Sequence, residues 1–318
     1  MILDVEPTVD YAFKYLFGRD QNRPILVNVV DSVLTPPPEH RITDVDLLNP
    51  FNPKEALDDK LSILDIKARD QSGRQLNIEM QLLAFKYYEK RILYYWSKFH
   101  QQQLHEGQDY LTIRPTISIS FLNHVLFPHV PDYHLRFYLT ETDHSFRFTD
   151  DIEFHVIELP KFVKTPLELD SDLDIWLYFL RHAAKIDTDA VPSALQRPMV
   201  LRAVEELKML AQSNPEKELY EARRKFQFDY QTGMKVAREE GREEGRETGR
   251  EEGREKGREE GREEGRLQAQ IEGRVAMIHF CEQVLGRPET STGQLARLPF
   301  DELSRLAETL QSAVRQQR

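Results

Sequence analysis

Two stretches of alternating polarity dominate the first third of the chain. From Gln75 to Gln81, Leu76, Ile78 and Met80 fall on one face of a strand, with Gln75, Asn77, Glu79 and Gln81 on the other. Upstream, Leu61, Ile63, Asp65 and Lys67 share a face opposite Leu64, Ile66 and Ala68. Between them Gln71-Ser72-Gly73 reads as a three-residue hairpin loop with glycine in the left-handed position. Counted outward from that loop, Asp70 opposes Arg74, Lys67 opposes Asn77, Asp65 opposes Glu79 and Ile63 opposes Gln81. Directly opposed residues have Cβ atoms about 5 Å apart. Two carboxylates at that spacing repel unless a cation lies between them. Hard divalent ions such as Mg²⁺ take such oxygen ligands and keep several waters. A four-residue loop would separate the acids, so the register rests on Gly73. The competing reading is a structural pair neutralised by Lys67 or Arg74.

The remaining pattern is mixed. Helical spacing predicts a helix over Thr8 to Gly18, with Thr8 as cap, and a second from about Asn22 to Leu34, stopped by Pro36-Pro37-Pro38. An extended segment follows at Arg41 to Asn49. Phe85, Tyr88, Ile92, Tyr95, Trp96 and Phe99 form one helical stripe, and Thr112 to Phe121 alternates as a buried strand. Shorter strands are predicted at Tyr133–Leu139, Ser145–Phe148 and Ile152–Leu159, then a helical region from about Leu169 to Leu210. This order predicts an α/β fold with a mixed central sheet flanked by helices.

The pattern then changes abruptly. From Gly241 to Arg266 the chain repeats Gly-Arg-Glu-Glu with a period of four. Each interior glycine costs a helix roughly 1 kcal/mol against alanine. Pairs such as Glu243 with Arg246 return only a few tenths of a kcal/mol each. An isolated helix here is expected to be weak, and the segment reads as a spacer or a helical stalk. Glutamate outnumbers arginine plus lysine in it, which argues against nucleic-acid binding by the repeat. Leu267–Leu285 and Phe300–Val314 read as two amphipathic helices of a small terminal unit. The expected organisation is 1–232, then 233–266, then 267–318.

Composition narrows the chemistry. The chain has 318 residues and a formal net charge of -11, so contact with phosphate must come from a local basic patch. Its one cysteine, Cys281, gives neither a disulfide framework nor a thiolate zinc site. The ten histidines lack the His-Glu-x-x-His spacing, and no nucleophile elbow or phosphate-cradling loop is present. The first residues do not read as a signal peptide, and apolar runs such as Ile175 to Leu180 are too short to span a bilayer. A cytoplasmic protein without a membrane partner is expected.

Asp65-x-Lys67, the turn, and Ile78-Glu79-Met80-Gln81 resemble the recombination-promoting nuclease/transposase family of the PD-(D/E)XK superfamily. Pro7 to Gly18, Ile42 to Pro50, Lys90 to Trp96, Gly107 to Tyr110 and Ile157 to Lys161 extend the resemblance over roughly the first two-thirds of the chain. Residues 267–318 are similar to a small helical domain of unknown function often appended to such proteins. The resemblance implies a restriction-endonuclease-like core and a metal-dependent DNA endonuclease, found in bacteria and linked to recombination and mobile elements. It implies Asp65 and Glu79 as ligands of Mg²⁺ or another divalent cation such as Mn²⁺. Gln81 stands where the superfamily usually has lysine. An amide orients a water but supplies no charge, and Lys67 is a candidate substitute. Asp10 and Arg91 are accessory candidates, with Arg91 able to reach phosphate or a site carboxylate. DNA is the implied partner, and the repeat with the terminal helices suggests a homo-oligomer. The alternative is a catalytically degenerate DNA-binding or assembly protein descended from such a nuclease, which the neutral Gln81 keeps open.

Overall fold

The computed structural model describes residues 1–51, 65–84 and 86–316, and at Asp65 the backbone. The expected Ile63–Gln81 pairing and the position of Phe85 in the helical stripe fall outside these residues. Two units are present, 1–232 and 233–318.

The first unit is built on six strands. They are β1 (Val45–Leu47), β2 (Asp65–Asp70), β3 (Gln75–Gln81), β4 (Thr116–Leu122), β5 (His134–Tyr138) and β6 (Ile152–Glu158). Their order across the sheet is β1-β2-β3-β4-β6-β5. β3, β4 and β6 run parallel to one another, while β1, β2 and β5 are antiparallel to their neighbours. The sheet is mixed, its helices flank it, and the fold is restriction-endonuclease-like α/β.

Alternation assigns the two faces. Ile66, Ala68, Leu76, Ile78, Met80, Ile117, Ile119 and Phe121 join the main core. α1 (Asp10–Phe17), α2 (Arg23–Leu34), α4 (Asp172–His182) and α5 (Pro198–Gln212) contribute the rest of that core. α1 begins one residue later than the spacing suggests. Its N-cap is Val9, with no side-chain cap, and Thr8 is buried in the preceding turn. The opposite face carries α3 (Tyr88–Gln101), whose Trp96 indole donates to the Thr116 carbonyl at 2.7 Å.

One expected strand is absent among the described residues, and one expected helical region is divided in two. Ser145–Phe148 is not a strand. Ser145 has φ 59°, and the Glu141 carboxylate accepts from the Asp143 and His144 amides, which closes a turn leaving only a bridge between Thr140 and Arg147. The helical region 169–210 is interrupted between α4 and α5. There Leu3 and Asp4 donate to the carbonyls of Ile186 and Ala184, so the chain is recruited by the first residues instead of continuing a helix.

A polar chain crosses the β5–β6 edge. The His155 Nε2–H donates to Glu153 Oε1 at 2.8 Å, and His134 Nε2 and His155 Nδ1 share a hydrogen bond at 2.8 Å. The Tyr138 hydroxyl donates to the same Glu153 oxygen at 2.9 Å.

α6 (Asn214–Val284) includes the whole Gly-Arg-Glu-Glu repeat, and every repeat residue is exposed. The repeat is therefore helical. Flanking helix supplies the nucleus, so the repeat needs only propagation, which costs far less than initiation. The second unit adds α7 (Thr292–Leu295) and α8 (Phe300–Gln316). Its core joins Val275, Ile278 and Cys281 to Leu295, Leu303, Ala307 and Leu310.

Among the described residues, no helix is long and apolar enough to cross a membrane.

Candidate active site

The site begins with the β2–β3 hairpin. Gly73 has φ 87°, a left-handed conformation that costs glycine nothing and other residues considerably more. The turn is closed by Asp70, whose side chain is fully buried. It accepts from the Ser72 amide and hydroxyl, from the Arg74 amide, and from Arg74 Nε at 2.6 Å. Arg74 is therefore committed to Asp70 and does not neutralise the acids further along the strands. The ladder pairs Asp65 with Glu79 and Lys67 with Asn77, the register that a three-residue loop predicts.

Glu79 is 5% exposed. Burial pushes its carboxyl above the ordinary range, opposed by the Arg91 charge and by a hydrogen bond from Tyr88. That bond runs from the Tyr88 hydroxyl to Glu79 Oε2 at 3.2 Å. Burial and the Glu79 charge in turn hold the Tyr88 phenol well above its usual value, and Ser120 is the register partner of Glu79 on β4. The His124 ring meets Tyr88 edge-on at 6.1 Å between centroids, and burial lowers its pKa against the opposing charge of Glu158. Glu158 itself is fully buried. It accepts from the Leu126 and Phe127 amides at 2.5 and 2.7 Å and pairs with Lys161, tying the segment after β4 to the end of β6.

The other sequence candidates have separate places. The Lys67 ammonium lies 5.0 Å from the centroid of Phe99, so its stem covers the sheet beneath α3. Gln81 is buried and turns its amide back to donate to the Leu83 carbonyl at 3.1 Å. Arg91 lies 5.7 Å from the centre of the Tyr95 ring and within electrostatic reach of Glu79. Asp10 finds its partners elsewhere. It accepts from the Tyr11 amide at 2.6 Å, and its main favourable charges are Arg223 and Lys14.

The structure thus gathers Glu79, Tyr88, Arg91, Ser120 and His124 around the β3–β4 seam, with Asp65 paired in register. Tyr88 and His124 are site neighbours that the sequence did not single out. Tyr88 sat in an apolar stripe that explained it as core, and His124 carried no ligand spacing.

One comparison bears on this geometry. The family model described as PD-(D/E)XK nuclease family transposase matches residues 7–237, the sheet and all of its flanking helices. The chain belongs to the PD-(D/E)XK nuclease family of transposases. No curated protein and no solved structure matches it. Membership assigns a nuclease- or transposase-related function, and nucleases of this superfamily generally use divalent metal ions. The match ends before the glycine repeat.

The donors available for such an ion are oxygens. Glu79 supplies a buried carboxylate whose desolvation a cation would relieve, and Asn77 Oδ1 on the same strand face is buried without a hydrogen-bond partner. This donor set fits a hard divalent cation and suits a soft one poorly. Among the described residues, no three or more histidine, cysteine or acidic side chains stand as a ready ligand cluster.

Proposed function

We propose that this PD-(D/E)XK protein is a divalent-metal-dependent DNA endonuclease serving recombination or mobile elements. Asp65 and Glu79 hold the metal. The carrying observation is their pairing across the β2–β3 ladder, inside the region matched by the family model.

A bound Mg²⁺ or Mn²⁺ would lower the pKa of a water and offset negative charge on the phosphate. The chain's own residues set the stage. Tyr88 fixes the Glu79 carboxylate through its hydroxyl, so that one oxygen lone pair is spent on α3 and the rest remain for the ion. Arg91 adds a positive charge beside Glu79, suited to an approaching phosphate oxygen. Gln81 holds its amide on the Leu83 carbonyl, leaving its side-chain oxygen to orient a water. Lys67, stacked on Phe99, supplies a second cation near the ladder.

A second reading has its own support. Gln81 brings no charge where the superfamily usually carries lysine, and its amide already has an intramolecular partner. A degenerate DNA-binding or assembly protein, self-associating through the repeat and terminal helices, would keep these features. Supercoiled plasmid incubated with Mg²⁺, Mn²⁺ or EDTA separates the two. Nicking that needs metal and disappears in Asp65→Ala and Glu79→Gln supports the nuclease. Retained DNA binding with no nicking under any metal supports the degenerate protein.

A further inference from the structure

We infer that the outer face of α3 is a track for a DNA strand with unpaired bases, delivered along it to Glu79. This rests on the reading of that face as a DNA-cleaving site.

Helical spacing places Lys90, Tyr94, Lys98 and Gln101 of α3 on one line, in steps of three or four residues, and Tyr87, just before the helix, sets its ring beside Lys90. All five are exposed, Tyr87 at 54% and Tyr94 at 61% of the full residue surface. The buried residues Tyr88, Trp96 and Phe99 occupy the other side. The line borders Arg91, whose charge acts on Glu79, and Tyr87 directly precedes Tyr88, which donates to that carboxylate. The single acid of the helix, Glu89, falls off the line. On a chain of net charge -11, a face that alternates lysine with exposed tyrosine is a local exception. It is complementary to a polyanion.

Tyr87 carries the second observation. It precedes α3 in a left-handed conformation, φ 64° and ψ 37°, without a side-chain cap bond. A bulky aromatic rarely adopts this backbone, and such strain gathers at functional positions. The strained residue is not used for packing. Its ring stands open to solvent between the Lys86 and Lys90 ammonium groups, at 5.1 and 5.0 Å from its centre.

Every base has a π-face, so exposed tyrosines suit unpaired bases, and the flanking lysines suit the phosphates between them. In a duplex the bases are already stacked on one another, so the rings would have nothing to receive. The occupant is therefore single-stranded or locally melted DNA.

Fluorescence anisotropy tests this on the full chain in EDTA, which prevents cleavage. The probes are a labelled twenty-nucleotide oligothymidylate and a duplex of equal length. The single strand should bind more tightly than the duplex. Tyr87→Gly and Tyr94→Ala should each weaken single-strand binding about 5- to 100-fold, while Tyr94→Phe stays near wild type. Tyr87→Gly also relieves the left-handed strain, so its loss of binding with an unchanged or higher Tm is not a folding defect. Replacing Lys90 and Lys98 with glutamine should flatten the slope of log affinity against log salt by roughly 0.7 per lysine. Tighter binding of duplex, or unchanged affinity in Tyr87→Gly, overturns the inference. Single-strand binding that depends on Tyr87, with no metal-dependent nicking, sinks the nuclease reading and leaves this one standing. Nicking with no dependence on Tyr87 or Tyr94 does the reverse.

Discussion

Tyr88, the first residue of α3, donates its phenolic hydrogen to Glu79 on β3, and so couples the helix that covers the sheet to the acid at its seam. Removing that donor isolates what it contributes. Tyr88→Phe keeps the ring in its fully buried place and leaves Glu79 with one partner fewer. A lost hydrogen bond to a buried carboxylate costs about 2 kcal/mol, measurable by urea denaturation. Partners that orient a metal ligand typically matter about 10- to 100-fold in metal affinity. The concentration of Mg²⁺ needed for half-maximal nicking should rise by roughly that factor, with the maximal rate largely restored at saturation. An unchanged metal requirement would show that Tyr88 is only core.

Gly73 should tolerate no side chain. At φ 87° an alanine is strained, and its Cβ would approach Arg114 Cγ to 3.3 Å. Left-handed backbone costs a non-glycine residue about 1–2 kcal/mol. Gly73→Ala should lower stability by that amount in chemical denaturation. Asp70→Ala should cost more, because the buried Asp70 side chain holds four donors of the same turn. If Gly73→Ala is neutral, the turn is not what fixes the register.

Acid should weaken the first unit through His134. Burial, followed by His155 and Arg136, pushes its pKa down from 6.5 to about 4, with Glu153 opposing. The unfolded chain therefore binds the proton more readily between those two values. The neutral imidazole contributes fully above the unfolded pKa, and that contribution is lost as pH falls through the interval toward 4. The stability of wild type minus that of His134→Gln should shrink from pH 7 to pH 4. A difference that stays flat over that window would show that His134 titrates alike in both states.

The repeat should gain helix when its glycines are replaced. None of the seven, from Gly241 to Gly265, has a neighbour within 4 Å of a built Cβ, so alanine meets no obstacle at any of them. Each exchange should favour helix by about 1 kcal/mol. Circular dichroism of the isolated segment should show a weak helix in the native repeat and a strong one in the alanine version. Strong helicity in the native peptide would contradict the cost assigned to the glycines.

Much of this was legible because it follows from short-range rules. Strand alternation and one glycine at φ > 0 are enough to pair Asp65 with Glu79. Gly18 ends α1 and a run of prolines follows α2, as breakers do. What escaped the sequence depends on partners distant along the chain. The break between α4 and α5 arises because Leu3 and Asp4 bond to Ile186 and Ala184, 180 or more residues away. Ser145 turns because Glu141 captures two amides, and alternation alone cannot distinguish that from a strand. The commitment of Arg74 to Asp70, and of Tyr88 to Glu79, depends on rotamers that spacing does not encode.

The parallel arrangement of β3, β4 and β6 means that the chain exits the sheet three times at one end, after Gln81, Leu122 and Glu158. Open α/β sheets bind ligands at such ends. Here the exits supply Tyr87 and His124 as rim, while the strands supply Glu79 and Ser120 as floor. Floor and rim are thus inherited as separable parts. The rim can be reshaped by editing the connecting segments, without disturbing the hydrogen-bonded ladder that pairs Asp65 with Glu79.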